Sequence, residues 1–268
     1  MDTSTYVCYK VGQFQTLTER AGRLIMSTAI VSAYTPEGFI IGADGMRRDQ
    51  RTGAIKTLQA RKIFFIQHND LVLAYGWSGA THILDSRNEP VFSFPKESEE
   101  ISNVLLPTKD DSFADYAKDL FGEVLSRLME AQQSGKISAY PTGQKLEWGE
   151  EKIAGALLIG YFRGRPCRAI VEFSHVQQRL LRPTMREIQD GNVPVDFNIY
   201  SGSKDTYKEV EPTHFMPEFL ADAEKLIYEY IGACISNQSR FEDCADIGGH
   251  IHMAQITPKG CQWIIPPV

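Results

Sequence analysis

A chain of 268 residues, 43% hydrophobic and 23% charged, has the composition of an ordinary globular protein, long enough for one large or two small domains. Its net charge of -6 argues against a nucleic-acid binder, which needs basic surface to displace counterions from phosphates. Five scattered cysteines (Cys8, Cys167, Cys234, Cys244, Cys261) form no C-x-x-C pair, so they read as free thiols and the cytoplasm is the expected location.

Residues 1–27 are polar and weakly patterned and read as a leader or extension; residues 28–268 read as one domain. The apolar run 23–31 is not a signal-peptide core, because Asp2 and Glu19 stand where a basic leader belongs. No stretch has the length of a membrane span. Strands are predicted over 28–34 and 39–43, turned by Thr35-Pro36-Glu37-Gly38, and over 61–67 and 71–74, turned by His68-Asn69-Asp70. Residues 85–111, with Asn88-Glu89-Pro90, the charge run 96–100 and Pro107, read mostly as loop. Ser112 then caps a helix whose apolar positions Phe113, Tyr116, Leu120, Val124 and Leu128 recur at helical spacing, and Gly135 ends it. Strands over 153–162 and 168–173 flank Arg163-Gly164-Arg165-Pro166, and Phe197-Asn198-Ile199-Tyr200 leads into Ser201-Gly202-Ser203. A helix over 212–236 turns Phe215, Phe219, Ala223, Ile227, Tyr230 and Ile231 inward. The chain closes on a hairpin of 250–256 and 262–265. Hairpins rather than βαβ crossovers define an α+β class with antiparallel sheets and segregated helices.

One constellation stands out. It runs Ser27-Thr28-Ala29-Ile30-Val31, Gly38-Phe39-Ile40-Ile41-Gly42-Ala43-Asp44-Gly45, Ala60-Arg61-Lys62-Ile63 and Ala74-Tyr75-Gly76-Trp77-Ser78-Gly79. The order of hydroxyl residue, Asp, Lys and Gly turn resembles the proteasome-type N-terminal-nucleophile hydrolases, most nearly the peptidase subunit of the bacterial two-tier ATP-dependent protease. The resemblance covers residue 27 to the C-terminal end, with 85–111 as an insertion. It implies a four-layer αββα sandwich and a threonine peptidase that needs no cofactor. It also implies peptide or unfolded-protein substrates, a homo-oligomeric ring and an ATP-driven unfoldase partner, with no nucleic acid or membrane involved. Carried onto these residues, Thr28 becomes the nucleophile once the leader is removed, its α-amine serving as base with a reference pKa of about 8. Lys62 would supply a positive field at the hydroxyl, Asp44 would hold Lys62, the Gly76 N–H would stabilise the oxyanion, and Ser201 would support the terminal amine.

The sequence also departs from that pattern. Ser27, not Gly, precedes Thr28; Met26 would make Ser27 the terminus if translation begins there; and the stretch 243–249 places Ile247 where the family carries a serine, with Asp243 one position out of step. Two other readings stay open: a proteasome-fold subunit with a silent site, and an amidase of the same superfamily acting on a small molecule. Beyond the constellation, His250 and His252 share one strand face at a spacing compatible with zinc, without a third ligand nearby in sequence. Ser201-Gly202-Ser203-Lys204 lacks the spaced glycines of a phosphate loop. Tyr75 and Trp77 beside Gly76 suit either a pocket wall or plain core.

Overall fold

The computed structural model describes residues 28–49, 52–87, 89–141, 144–146, 149–210 and 216–268; the expected leader, Ser27 included, lies outside the described residues. In chain order, β1 (Ile30–Thr35) and β2 (Gly38–Asp44) form a hairpin, β3 (Arg47–Arg48) and β4 (Ile55–Thr57) a short ribbon, and β5 (Ile63–His68) and β6 (Leu71–Gly79) a second hairpin. Next come β7 (His82–Leu84), β8 (Pro90–Ser93), α1 (Phe94–Ser102), α2 (Phe113–Gln133) and β9 (Gln144–Lys145). The long strands β10 (Glu151–Phe162) and β11 (Arg165–Val176) precede β12 (Arg179–Leu180), β13 (Thr184–Asp190) and β14 (Asp196–Ser201). The helices α3 (Lys204–Val210) and α4 (Leu220–Ser236) then lead to the closing hairpin, β15 (Ile251–Thr257) and β16 (Gly260–Ile265).

Two antiparallel sheets dominate. One has the order β14-β1-β2-β15-β16; the other runs β12-β11-β10-β6-β5, with β13 on β11 and β9 on β10. Successive residues of a strand point to opposite faces, and here both faces are covered. Ala29, just before β1, and Val31 and Ala33 on it pack with Ile227, Tyr230 and Ile231 of α4, while Ile30 joins Phe39, Ile41, Ile63, Ala74, Leu157 and Ile159 between the sheets. A third cluster sets Leu73, Tyr75 and Trp77 of β6 against Phe94 of α1 and Leu120, Phe121 and Val124 of α2. Each such fully buried side chain contributes about 1.5–3 kcal/mol of apolar burial. Close approach has its own requirement: a Cβ on Gly42 would meet Ile227 Cγ2 at 2.3 Å, so only glycine lets α4 settle on β2.

The predicted hairpins form, with β6 and β11 longer than expected. The turn between β10 and β11 is two residues, Arg163 and Gly164, both at positive φ, which suits the strand twist. Ser112 caps α2 through a full capping box with Asp115, and Gly135 follows the helix end at φ 75°. Two expectations need correction. Residues 85–111 are not mostly loop: they hold β8 and α1, started by Ser93, whose Oγ accepts from Lys96 N–H, and by Pro95 in the first turn. The charge run that reads as loop is the outer face of a helix that buries Phe94, Pro95, Ser98 and Ile101. The last long helix begins at Leu220 rather than 212. Phe219 is its extended N-cap residue, 56% exposed instead of inward, and Phe215 lies outside the described residues.

Candidate active site

Three strand ends meet at one end of the two sheets. Thr28 stands two residues before β1, Asp44 is the last residue of β2, and Lys62 immediately precedes β5 on the other sheet. The Thr28 hydroxyl donates to Asp44 Oδ1 at 3.0 Å and accepts from Lys62 Nζ in a short contact. Lys62 Nζ also bonds Asp44 Oδ1 at 2.7 Å. Asp44 is fully buried and its carboxylate is saturated: Oδ1 takes Ala29 N–H at 2.9 Å as well, while Oδ2 takes Met46 N–H at 3.1 Å and Gly248 N–H at 3.0 Å. A buried anion without such donors would cost several kcal/mol, on the order of 3–5 for a broken pair. With them it becomes a fixed anchor for both Thr28 and Lys62.

The Lys62 side chain is only 11% exposed. Burial pulls its pKa below the usual lysine range, and the attraction and hydrogen bond of Asp44, with Asp246 further off, oppose that fall. The Lys62 N–H donates to His252 Nε2 at 3.1 Å. An Nε2 that accepts belongs to an imidazole protonated on Nδ1, and burial followed by the charge of Lys62 holds the His252 pKa down at about 4. His252 thus fixes the backbone from which Lys62 projects. His250 is engaged elsewhere, its Nε2 2.8 Å from the Pro266 carbonyl. The described residues contain no group of three or more His, Cys, Asp or Glu placed to hold a metal.

Thr28 and Lys62 open onto a cavity of about 220 Å³ walled by Met46, Trp77, Ser78, Gly79, Leu84 and Pro90, with charged residues at its rim. Gly76 does not line it. It is the last residue of β6 paired with β5, opposite Ile63, and the place of its missing side chain faces Ile30 Cγ2 at 3.0 Å. Past Gly76, β6 pairs with β10 alone, and the stretch from Trp77 to Gly79 reaches the cavity. Ser201 ends β14 opposite Ile30, half-buried and also outside the cavity lining. Trp77 serves both expectations: 1% exposed, it packs on Phe94, Phe121 and Phe173 and still edges the cavity, whereas Tyr75 is core. Ser203 is a helix cap, its Oγ accepting from Thr206 N–H at 3.1 Å.

Sequence reasoning missed Asp246 and the Met46 and Gly248 amides, and it read His252 with His250 as a zinc-spaced pair rather than as the acceptor of the Lys62 N–H. Asp246, not Asp243, borders the cavity, where it pairs with Arg48 at 2.7 Å. The glycine pair before His250 was the one available signal, since an amide offered to a buried carboxylate favours a residue with little bulk.

No protein-family model matches the sequence, and no curated protein matches it. Solved structures do. An Anbu (Gly-1) mutant from Hyphomicrobium sp. strain MC1 superposes with a TM-score of 0.52 at 11% identity, over 89% of this chain and 87% of that one. Anbu, described as an ancestral beta-subunit, from Yersinia bercovieri gives 0.52 at 13%, over 89% and 87%. The helical assembly of the Anbu complex from Pseudomonas aeruginosa gives 0.52 at 12%, over 90% and 88%. At such identities the likeness speaks for the fold alone, and that fold is proteasome-like. No helix of the described residues is long and apolar enough to cross a membrane.

Proposed function

We propose that this chain is a proteasome-like threonine peptidase of the N-terminal-nucleophile class, built as a four-layer αββα sandwich. The layering is supported by the three separate hydrophobic clusters, one between the sheets and one under the helices on each outer face. The observation that carries the catalytic reading is the Thr28 hydroxyl held between Lys62 Nζ and Asp44 at the mouth of a cavity. An ammonium donating to a hydroxyl oxygen stabilises the alkoxide and lowers the cost of deprotonation.

In this mechanism, removal of residues 1–27 frees the Thr28 α-amine, which takes the hydroxyl proton as Oγ1 attacks the peptide carbonyl. Negative charge collects on the carbonyl oxygen; the resemblance assigns it to the Gly76 N–H, while the β6 residues that reach the cavity are Trp77 to Gly79. The amine returns the proton to the leaving nitrogen as the C–N bond breaks. Water, deprotonated by the same amine, then cleaves the ester and restores the threonine. Ser201, across from Ile30, supports the amine through the neighbouring strand. No cofactor takes part. An extended substrate backbone, from a peptide or an unfolded protein, adds along the unpaired β6 edge as a strand would. Homo-oligomeric assembly is part of the proposal, supported by the helical assembly of the Pseudomonas aeruginosa neighbour; closure into a ring, an ATP-dependent unfoldase partner and a cytoplasmic location rest on the resemblance alone.

The test is the intact mass and N-terminal residue of the purified protein, with hydrolysis of fluorogenic peptides. A chain beginning at Thr28, active on peptides, with Thr28→Ala unprocessed and inactive, is the expected result. A chain that keeps the residues before Thr28 and hydrolyses nothing in a Thr28-dependent way overturns the reading in favour of a silent subunit. Thr28-dependent cleavage confined to small amides overturns it in favour of an amidase.

A further inference from the structure

The rim of the cavity carries Arg47, Arg48, Lys56 and Arg61 in addition to Lys62, against Asp246 as the one carboxylate among the described lining residues. Such a concentration of positive charge runs against the net charge of -6. Most of it is already engaged. Arg48 pairs with Asp246 at 2.7 Å and donates to the Gly53 and Ala245 carbonyls; Lys56 pairs with Asp49 at 3.3 Å; Lys62 is held on Asp44. Arg61 donates to the Ile63 carbonyl at 3.0 Å and lies over the Phe64 ring, and it reaches Glu99 only at 3.8 Å, both side chains partly exposed. Arg47, exposed on β3 at the cavity rim, has no ion-pair partner among the described residues.

Resting on the peptidase reading above, we propose that this subsite takes an acidic side chain flanking the scissile bond and that Arg47 is the residue that selects it. A guanidinium offers a carboxylate two parallel N–H donors, a geometry that neither an amide nor an ammonium substrate group can use. Lys56 and Arg61 add field from the rim, and the apolar walls supplied by Met46, Leu84 and Pro90 keep that field from being fully screened. A basic side chain placed there meets like charge on three sides. A neutral one leaves Arg47 unpartnered. The field is felt within the protein already: His82, which also lines the cavity, has its pKa held at about 4 by burial first and then by Arg47 and Lys56.

The experiment uses the purified full chain and three peptides identical except for Glu, Gln or Lys at the residue preceding the scissile bond. Two readouts are taken: hydrolysis of fluorogenic versions, and fluorescence anisotropy of labelled versions, each at low and high salt. A single charge-assisted pair predicts a Glu-over-Gln preference of about ten-fold or more, with Lys poorest and the preference shrinking as salt rises. Arg47→Gln is expected to bring the Glu-to-Gln ratio close to one, and Arg47→Lys to restore part of it. Equal use of Glu and Gln, a preference for Lys, or an unchanged ratio in Arg47→Gln overturns the proposal. Where no peptide is cleaved, the peptidase reading has failed, and the anisotropy ratio alone decides for or against the acidic subsite.

Discussion

Two clusters of buried charge among the described residues sit at different places, and the second of them opens onto the cavity described above. At the first, Arg168 of β11, 4% exposed, bonds Glu187 of β13 at 2.7 Å and both carboxylate oxygens of Asp196 on β14 at 2.9 Å. It ties the two sheets together. At the second, Lys62 meets Asp44 and the Thr28 hydroxyl. The guanidinium cannot give up its proton, and every charged partner there is a fixed acceptor. The amine of Lys62 has a pKa drawn down by burial and touches a hydroxyl that opens to a cavity. Burial of charge alone therefore does not make a candidate site; a titratable donor beside a hydroxyl and an open space does.

Substitution separates the two most sharply. Lys62→Met removes the positive field at Thr28 while leaving Asp44 its four other donors, and Thr28-dependent hydrolysis is expected to fall about a thousand-fold or more. Arg168→Met should do the opposite. It leaves two half-exposed carboxylates facing each other across the sheets, so stability should drop by about 3 kcal/mol in urea unfolding, with the turnover of the folded fraction changed only a few-fold. A Lys62→Met protein of normal activity, or an Arg168→Met protein of normal stability, breaks the distinction.

The sequence carries the first half of the Thr28–Asp44–Lys62 cluster and hides the second. Thr28, Asp44 and Lys62 lie within 35 residues of one another on two hairpins whose turns are plain, so their order could be read directly. The support for that cluster comes from the far end of the chain: His252 meets Lys62 across 190 positions, and Gly248 meets Asp44 across 204. No local period encodes such a contact; only the pairing of β2 with β15 brings it about. Helix α1 was missed for a different reason. Its Ser93-Phe94-Pro95 start is a proper helix signal, but the exposed face that follows is so charged, and the buried stripe of Phe94, Ser98 and Ile101 so interrupted by a serine, that the helix is easily overlooked. Asp246 could not be told from Asp243 by spacing: Asp243 lies within a short 3-10 turn, Glu242–Cys244, and Asp246, two residues past it, is the one that lines the cavity.

His252 extends the comparison to acid stability. Its folded-state pKa of about 4 lies below the ordinary 6.5, so as pH falls the unfolded chain binds the proton first. The contribution is fully present above about 6.5 and disappears on the way down to about 4. Between pH 7 and pH 5 this one imidazole should remove about 2 kcal/mol of stability. His252→Gln keeps an acceptor near the Lys62 N–H but cannot titrate. Its urea midpoint should therefore fall less between those two pH values than that of the parent, while the portion due to half-buried His82 persists. An identical fall in both proteins would mean that His252 is not held neutral.

The smallest effect belongs to Asp246, which touches the cluster only through its field. Its carboxylate works against the burial that lowers the Lys62 pKa, after the two stronger contributions of Asp44. Asp246→Asn takes that support away and leaves Asp44, Thr28 and His252 in place, so Lys62 should lose its proton at lower pH than in the parent. If catalysis requires the Lys62 ammonium, the alkaline limb of the pH–rate profile must move to lower pH. The same substitution frees Arg48, and that change alters binding rather than the alkaline limb of kcat. An alkaline limb that stays in place, with hydrolysis otherwise intact, would show that the limb reports another group, the terminal amine first among them. The Arg168 cluster offers no equivalent experiment, because its guanidinium has no proton to lose in that range.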